Sequence, residues 1–376
     1  FSIAATLAIA FSSNLFSLFV FYEVLTIATY PLVAHKGTEE AKKGARTYLG
    51  ILMGASIALL LVAVVWTWVI AGTLDFVPGG ILEGKTDPLL TAILLAFFAF
   101  GIGKAALMPF HRWLPAAMVA PTPVSALLHA VAVVKAGVFS ILKVGVYIFG
   151  TDFLAQTGAS QWLMWLAAFS ILAASLVAIT KDNLKARLAY STVSQLSYIT
   201  LGVALATSIG VIGGGLHIAM HAFGKITLFM CAGAIYVATH KTNISQMDGL
   251  GRVMPVTYGA FFVGALSIIG LPPLGGSWSK WYLMLGAAET GHVIMIGVLM
   301  LSSLLNVVYL LGPIARGFYL PSDASGTGET TAISEAPFWC VAPPVFAALG
   351  CIVLFFFAGD IQAFLEPITQ TTGATQ

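Results

Sequence analysis

Repeated apolar runs of about 20 residues constrain this chain most, because such runs are typical of membrane-spanning helices. The composition agrees, since 59% of the residues are hydrophobic, 9% are charged and the mean hydropathy is +0.96. An average soluble domain has about a quarter of its residues charged. We therefore predict an all-α polytopic membrane protein. The ten complete runs fall at 14–34, 47–72, 89–116, 124–149, 160–180, 187–207, 210–238, 256–287, 293–316 and 337–358.

The N-terminal stretch FSIAATLAIAF is too short for a complete span. It has about half the length that a bilayer requires before SSN interrupts it. We interpret it as the tail of a helix that begins before Phe1, which predicts an N-terminally truncated chain with a partial first span. The longest loop, 317–336, is short and polar, so the loops alone cannot form a soluble domain.

Positive charge alternates between successive loops. One alternate set of loops contains eleven Lys and Arg residues, whereas the opposite set contains only Lys85. By the positive-inside rule the basic set faces the cytoplasm. We expect a multi-pass integral protein of a bacterial plasma (inner) membrane. The basic set comprises Lys36, Lys42, Lys43, Arg46, Arg112, Lys181, Lys185, Arg187, Lys241, Arg252 and Arg316.

A few ionisable side chains lie inside the predicted spans. Each costs roughly 2.5–3.5 kcal/mol on insertion scales, so each is a functional candidate by default. Lys143 lies near the end of its span, and we expect it to extend towards the interface. The remaining candidates for a proton path are Glu23, Lys104, His129, Lys135, His217, His221, Lys225 and Lys280.

The segment LHIAMHAFGKITLFM places three of these groups on one helix face. His217, His221 and Lys225 are four residues apart, so they form a stripe along a helix. We predict no metal site, because the two histidines have no nearby carboxylate or cysteine ligand and Lys225 adds a cation. Hydrogen bonding between helices is the alternative role for each histidine.

A line of lysines and histidines suits proton transfer. A free lysine, with a pKa of about 10.4, holds its proton too tightly at neutral pH. Burial and neighbouring cations lower that value, whereas a nearby carboxylate raises it, so a Glu23–Lys104 contact that forms and breaks would switch the lysine. Histidine titrates near neutrality and can pass protons through both ring nitrogens.

Sodium transport through this chain is less well supported. A Na⁺ site needs several oxygen ligands, and hard cations avoid ammonium groups. Glu23 is the one acidic residue inside a predicted span, and we expect Lys104 to pair with it. We therefore predict that this chain moves H⁺ and that any Na⁺ pathway lies partly or wholly on another subunit.

Two predicted spans contain helix-breaking residues at mid-depth, in GIGKAALMPFHRWLP and GLPPLGGSWSKW. They are five helices apart, which is the pattern of inverted five-helix repeats with a site at the broken helices. Two ordinary proline kinks are the alternative. The repeats would cover 1–149 and 150–318, and 319–376 would supply a loop, a terminal transmembrane helix and a C-terminal tail. The predicted break residues are Pro109, Pro272, Pro273, Gly275 and Gly276.

Four motifs together resemble the antiporter-like subunit family, which is shared by Mrp-type multisubunit Na⁺/H⁺ antiporters and the membrane arm of respiratory complex I. They are NLFSLFVFYEVLTIATYPLV, GKAALMPFHRWLPAAMVAPTPVSALLHA, the HxxxHxxxK stripe and GLPPLGGSWSKW. The resemblance covers essentially the whole chain. The segment HKTNISQMDGLGRVMP, followed by GLPPLGGSWSKWYL, looks most like the Mrp D-type subunit.

The resemblance implies a role for each buried charge. Glu23 would be the family's glutamate facing the next subunit, and Lys104 its partner before the broken helix. Lys135 would be a relay, and Lys225 with the two stripe histidines would be the central group. Lys280 would lie at the exit, where some members have glutamate instead. His129 would act as a gate or relay.

The leading hypothesis is therefore a proton-translocating subunit of a multisubunit monovalent cation (Na⁺)/H⁺ antiporter. The alternative is a pumping, non-catalytic subunit of an NADH:quinone oxidoreductase or a membrane-bound hydrogenase. Either function implies other membrane subunits as partners and no nucleic acid. The resemblance implies no flavin, iron–sulfur cluster or haem, and the sequence contains neither GxGxxG nor a cysteine ligand set. A merely structural role does not explain so many buried charges.

Overall fold

The computed structural model describes residues 1–321 and 332–369. This part of the chain is helical, and its only β-pairs are isolated bridges. Part of the predicted loop 317–336 and the last seven residues of the predicted C-terminal tail, 370–376, lie outside the described residues. The helices of nine or more residues are α1 Ser2–Ala10, α2 Leu15–Ala34, α3 Glu39–Ala71, α4 Pro88–Gly101, α5 Thr122–Phe149, α6 Gln161–Thr180, α7 Leu184–Ala204, α8 Ser208–Thr239, α9 Pro255–Ile269, α10 Gly276–Glu289, α11 Val293–Tyr319, α12 Phe338–Phe356 and α13 Ala358–Thr369.

Seven helices of the described chain are long and apolar enough to cross a membrane, namely α2, α3, α5, α6, α8, α11 and α12. The helical content and these seven helices therefore confirm the prediction of an all-helical, multi-pass membrane protein. The other three predicted spans differ from simple helices. The α7 helix has the expected length but a polar buried surface, and the remaining two spans are interrupted.

Asparagine, aspartate and threonine side chains begin several of the long helices. Asn14 accepts a hydrogen bond from the Ser17 amide at 2.8 Å, and Asp87 accepts one from Leu90 at 2.8 Å. Such caps satisfy backbone donors that have no partner in the first helical turn. These caps therefore fix the residue at which each of these helices begins.

Loops contact one another at each of the two ends of the helical bundle. At one end Leu184 donates to the Thr242 carbonyl, and Lys185 Nζ donates to the Ala120 carbonyl. At the other end Leu15 donates to the Leu74 carbonyl. Loops that the charge alternation places on the same side of the membrane therefore meet each other in space.

Two interruptions position the interior charges. After α4 the chain leaves α-helical geometry until Trp113, with Ala106 at a φ of 54° and Pro109 inside the interruption. After α9 the chain turns through Gly270, at a φ of 89°, and restarts as α10 at Gly276.

Close backbone contacts hold the interrupted segments in the core. A Cβ on Gly137 of α5 would lie 2.3 Å from the Lys104 carbonyl carbon, and one on Gly276 would lie 1.9 Å from the Ser267 carbonyl oxygen. Only glycine allows such close approach. The α8 helix packs against α5, α7, α9, α10 and α12, so its polar stripe is central in the fold.

Candidate functional site

Seven lysine and histidine side chains of the predicted path are buried in the helical interior. Each exposes 7% or less of its surface. Groups of this kind are retained inside a protein when they have polar partners or a function. The seven are Lys104, His129, Lys135, His217, His221, Lys225 and Lys280.

Lys104, in the first interruption, is held by α2. Its Nζ donates to the Tyr22 carbonyl at 2.7 Å and to Thr26 Oγ1 at 2.6 Å. The same ammonium lies 3.1 Å from the centroid of the Tyr22 ring, within the range of a cation–π contact. All of these partners are neutral, so the lysine is solvated by the protein without a counter-ion.

The direct Glu23–Lys104 contact expected from the sequence is not formed in this conformation. No ion pair joins the two side chains within 4.0 Å, and neither Glu23 oxygen has a hydrogen-bond partner among the described residues. The reason is that the Lys104 ammonium already contacts the carbonyl and ring of Tyr22 and the hydroxyl of Thr26. A Glu23–Lys104 pair therefore requires one side chain to move.

A chain of close polar contacts crosses the middle of the molecule. Lys135 Nζ lies 2.6 Å from His221 Nδ1, and the rings of His221 and His217 are 5.8 Å apart. His217 Nδ1 lies 2.9 Å from Ser279 Oγ at the start of α10, and its ring stacks on Tyr198. The contacts join α5 through the α8 stripe to the second interruption.

Lys225 continues the stripe but points to other helices. Its Nζ donates to Ser191 Oγ at 2.6 Å and to the Leu188 carbonyl at 3.3 Å, both on α7. Ser191 also accepts a hydrogen bond from the Tyr309 hydroxyl at 2.9 Å, and Tyr309 contacts Asn306 on α11. Lys225 thus reaches a polar cluster between α7 and α11.

Lys280 uses an acceptor that the second interruption exposes. Its Nζ donates to the carbonyl of Ile269, the last residue of α9, at 2.8 Å and to Ser303 Oγ at 2.9 Å. The final carbonyls of a helix have no partner within the helix and favour a cation. The break therefore provides a site for this ammonium.

His129 and Lys143 lie apart from this line. His129 is on a π-helical turn of α5, and neither ring nitrogen has a hydrogen-bond partner among the described residues. Its ring packs 4.8 Å from that of Phe229. Lys143 Nζ donates to the Ser12 carbonyl at 2.7 Å, which agrees with a lysine that extends towards the membrane surface.

The sequence reasoning missed the hydroxyl groups that hold the lysines. Two polar columns at helical spacing could have indicated them, one on α7 and one on α11. Ser175 on α6 joins the columns at 2.9 Å to Ser194 and 3.3 Å to Ser302. The columns are Ser191, Ser194, Gln195 and Tyr198 on α7 and Ser302, Ser303, Asn306 and Tyr309 on α11.

The described residues include no group of three or more His, Cys, Asp or Glu side chains that could hold a metal ion. The two stripe histidines instead contact a lysine and a serine, as given above. The buried lysines and histidines together provide a series of proton donors and acceptors in the interior of the helical bundle.

Comparison with known proteins identifies the family. Residues 12–306 match the family described as "NADH:quinone oxidoreductase/Mrp antiporter, TM". The chain belongs to this family. The matched region includes every predicted path residue from Glu23 to Lys280, and the family resemblance seen in the motifs is confirmed.

Relatives within this family serve different assemblies. The chain is 34% identical to the N-type subunit of the NADH-quinone oxidoreductase of Desulforudis audaxviator, over 95% of this chain and 73% of the relative. It is 31% identical to the D-type subunit of the Na(+)/H(+) antiporter of Alkalihalophilus pseudofirmus, over 80% of this chain and 60% of the relative. Membership of the family therefore does not determine which reaction drives transport in the assembly.

A solved structure has the same fold. A chain of the Mrp complex from Dietzia sp. DQ12-45-1b superposes with a TM-score of 0.80 at 25% identity, over 97% of this chain and 75% of that chain. The helical arrangement is thus that of a membrane subunit from a multisubunit assembly.

Proposed function

We propose that this chain is the proton-translocating subunit of a multisubunit monovalent cation (Na⁺)/H⁺ antiporter. The observation that carries the proposal is the series Lys135, His221, His217 and Ser279, which connects α5 to the second interruption through contacts of 2.6 and 2.9 Å and one pair of histidine rings. Imidazole can accept a proton on one nitrogen and release one from the other. A lysine next to it supplies or receives that proton.

The two ends of the path have different partners. At one end Lys104 exchanges its hydrogen bonds to Tyr22 and Thr26 for a contact with Glu23, and this exchange controls whether it holds its proton. At the other end Lys280 holds or releases a proton beside the Ile269 carbonyl. Lys225 branches from the stripe into the hydroxyl cluster. The interior positions of these groups support the assignment.

Continuity between Lys104 and Lys135 rests on α5. Gly137, two residues after Lys135, packs against the Lys104 peptide, so the two lysines belong to adjacent parts of the core. Buried polar atoms such as His217 Nε2 and His221 Nε2 have no protein partner among the described residues. Water is the usual partner of such groups, and it would complete a proton path here.

The ion specificity follows from the oxygen ligands that the interior could offer to a cation. The described interior offers hydroxyls and carbonyls that already bind ammonium groups, which is unfavourable for Na⁺. We propose that H⁺ moves through this chain and that the Na⁺ pathway lies partly or wholly on other membrane subunits. The activity is transport in a plasma membrane, with no catalytic residue or cofactor assigned to this chain.

The architecture fits two inverted repeats, 1–149 and 150–318, followed by 319–376. Each proposed repeat contains one interruption with a lysine beside it, Lys104 in the first and Lys280 in the second. Inverted repeats place such interruptions about a common site near the middle of the membrane.

The first test removes the middle of the path. His221→Ala in the assembled complex should reduce cation-coupled proton flux in proteoliposomes at least tenfold, because Lys135 loses its acceptor. His240→Ala is the matched control, since His240 is an exposed histidine just after the same helix. Equal flux in the His221 variant and the wild type would contradict the path, provided that complex assembly is unchanged.

A redox-driven pump is the second candidate. It is favoured by the similarity to the D. audaxviator oxidoreductase relative, which extends over 95% of this chain. The two candidates share the proton path and differ in their partner proteins. Purification of the complex from its native membrane and mass spectrometry of its subunits distinguish them. Flavin or iron–sulfur subunits would establish the redox pump, and small Mrp-type subunits without them would establish the antiporter.

A further inference from the structure

A groove with three lysines lies at the end of the molecule where the basic loops meet. Its cavity has a volume of about 540 Å³. The walls come from the last turns of α8 and the first turns of α12, and the start of α5 closes the groove on a third side. We call it the basic groove, and its lysine and threonine residues are Lys36, Lys185, Lys241, Thr122 and Thr242.

Charge in the basic groove has one sign. Three ammonium groups contribute to its lining, and none of the described residues that line it is an aspartate or glutamate. Lys185 donates one hydrogen bond to the Ala120 carbonyl at 2.7 Å, which fixes its position and leaves two of its three N–H donors for another acceptor. The charge of the groove is therefore complementary to an anion.

The rest of the groove is apolar. Met230, Val237 and Pro343 line it below the lysines, and Trp339 at its rim is 82% exposed. Tryptophan is enriched where a membrane meets water, because its ring is apolar and its N–H is polar. A small soluble anion would make no contact with these apolar walls. A lipid has both a charged headgroup for the lysines and an apolar chain for the walls.

We propose that the basic groove binds an anionic phospholipid of the cytoplasmic leaflet. The phosphate would lie among Lys36, Lys185 and Lys241, and one acyl chain would follow the apolar wall between α8 and α12. Basic pockets between helices on the cytoplasmic side are suited to such headgroups. The site is separate from the proton path, since none of the path residues lines it.

The test uses the purified complex that contains this chain, with phosphatidylglycerol and phosphatidylcholine of identical acyl chains as probes. Native mass spectrometry gives the affinity for each lipid. We expect tighter binding of phosphatidylglycerol by the wild type. The triple variant Lys36→Gln, Lys185→Gln and Lys241→Gln should lose about 100-fold of that affinity, at about fivefold for each lysine near the surface.

The matched control is Lys42→Gln, Lys43→Gln and Arg46→Gln, which removes three exposed positive charges from the same side outside the groove. It should change the affinity by less than about twofold, because charges outside the binding site act only through the screened surface potential. Equal losses in the two triple variants would overturn the proposal. Equal affinity of the wild type for the two lipids would also overturn it.

Two further arms complete the test. Inorganic phosphate should not displace the lipid, and displacement at equal concentration would show a site for soluble anions instead. If the triple variant fails to assemble, Lys36→Gln and Lys241→Gln are measured singly, since Lys185 also holds the Ala120 carbonyl. Each single variant should lose about fivefold, and no loss in either would refute the site.

Discussion

At the residue scale, three of the buried lysines share one kind of environment. Lys104, Lys225 and Lys280 each donate to a backbone carbonyl and to a hydroxyl group. Hydrogen bonds to a charged group contribute about 1.5–3 kcal/mol each. Lys135 differs, because its partner is the ring nitrogen of His221. Neutral oxygen partners hold the ammonium groups of Lys104, Lys225 and Lys280 in place. Lys135 instead contacts His221, which can accept its proton.

Removal of a single hydroxyl tests this environment. Thr26→Val keeps the shape of the side chain but removes an acceptor from Lys104, which costs about 1–3 kcal/mol. We expect the rate of proton flux in proteoliposomes to change by about tenfold. Thr47→Val is the control, because the Thr47 hydroxyl bonds to its own helix backbone at an exposed site. A Thr26 variant with the wild-type rate would show that this hydroxyl does not control Lys104.

At the element scale, a polar clamp joins two loops of the basic end. Asp182, between α6 and α7, accepts hydrogen bonds from the Ser245 hydroxyl at 2.6 Å and from the Ser245 amide at 2.9 Å. The Ser245 hydroxyl is the main reason that the pKa of this carboxyl lies below its ordinary value of 3.8. The clamp holds the loop after α8 against the start of α7.

The clamp should make a pH-dependent contribution to stability. A folded-state pKa below the unfolded value means that the carboxylate stabilises the fold above about pH 4, and that this is lost as the pH falls through the folded pKa. Asp182→Asn should therefore lower the Tm of the detergent-purified protein by about 1–2 °C at pH 7, a small shift because the group is exposed. The difference should decrease in acid. A difference that is constant from pH 7 to pH 3 would contradict this role.

The elements were largely predictable, because membrane spans follow from hydropathy. Seven predicted runs correspond to long apolar helices, and α4 and α9 end where glycine and proline interrupt the runs. The α13 helix was not predicted, since its sequence AGDIQAFLEPIT is too polar to resemble a span. It packs on α8 through Leu365 near Gly215, a contact that no local pattern reveals.

The site was predictable in its charges but not in its contacts. Buried lysines and histidines stand out in an apolar chain, whereas serine and tyrosine are common in membrane helices for many reasons. Whether Ser191 or Ser303 meets a lysine depends on the rotation of α7 and α11. For the same reason the sequence predicted a Glu23–Lys104 contact but could not show that Tyr22 and Thr26 hold the lysine instead.

At the scale of the whole molecule, the path is built from both halves of the chain. Lys104 and Lys135 come from the first half, and His221, Lys225 and Lys280 come from the second. The central α8 helix joins them, because its stripe contacts α5 on one side and α10 on the other. The Lys135–His221 contact is therefore the connection on which the proposed transport depends.

The most direct measurement of that claim is proton flux through the reconstituted complex with Lys135→Arg. Arginine keeps the positive charge but does not release its proton in proteins. Lys143→Arg is the control, because Lys143 lies outside the path and contacts the Ser12 carbonyl. We predict that the Lys135 variant assembles with its partner subunits and loses at least tenfold of the flux, while the control retains it. Unchanged flux in the assembled Lys135 variant would contradict proton transfer through this residue.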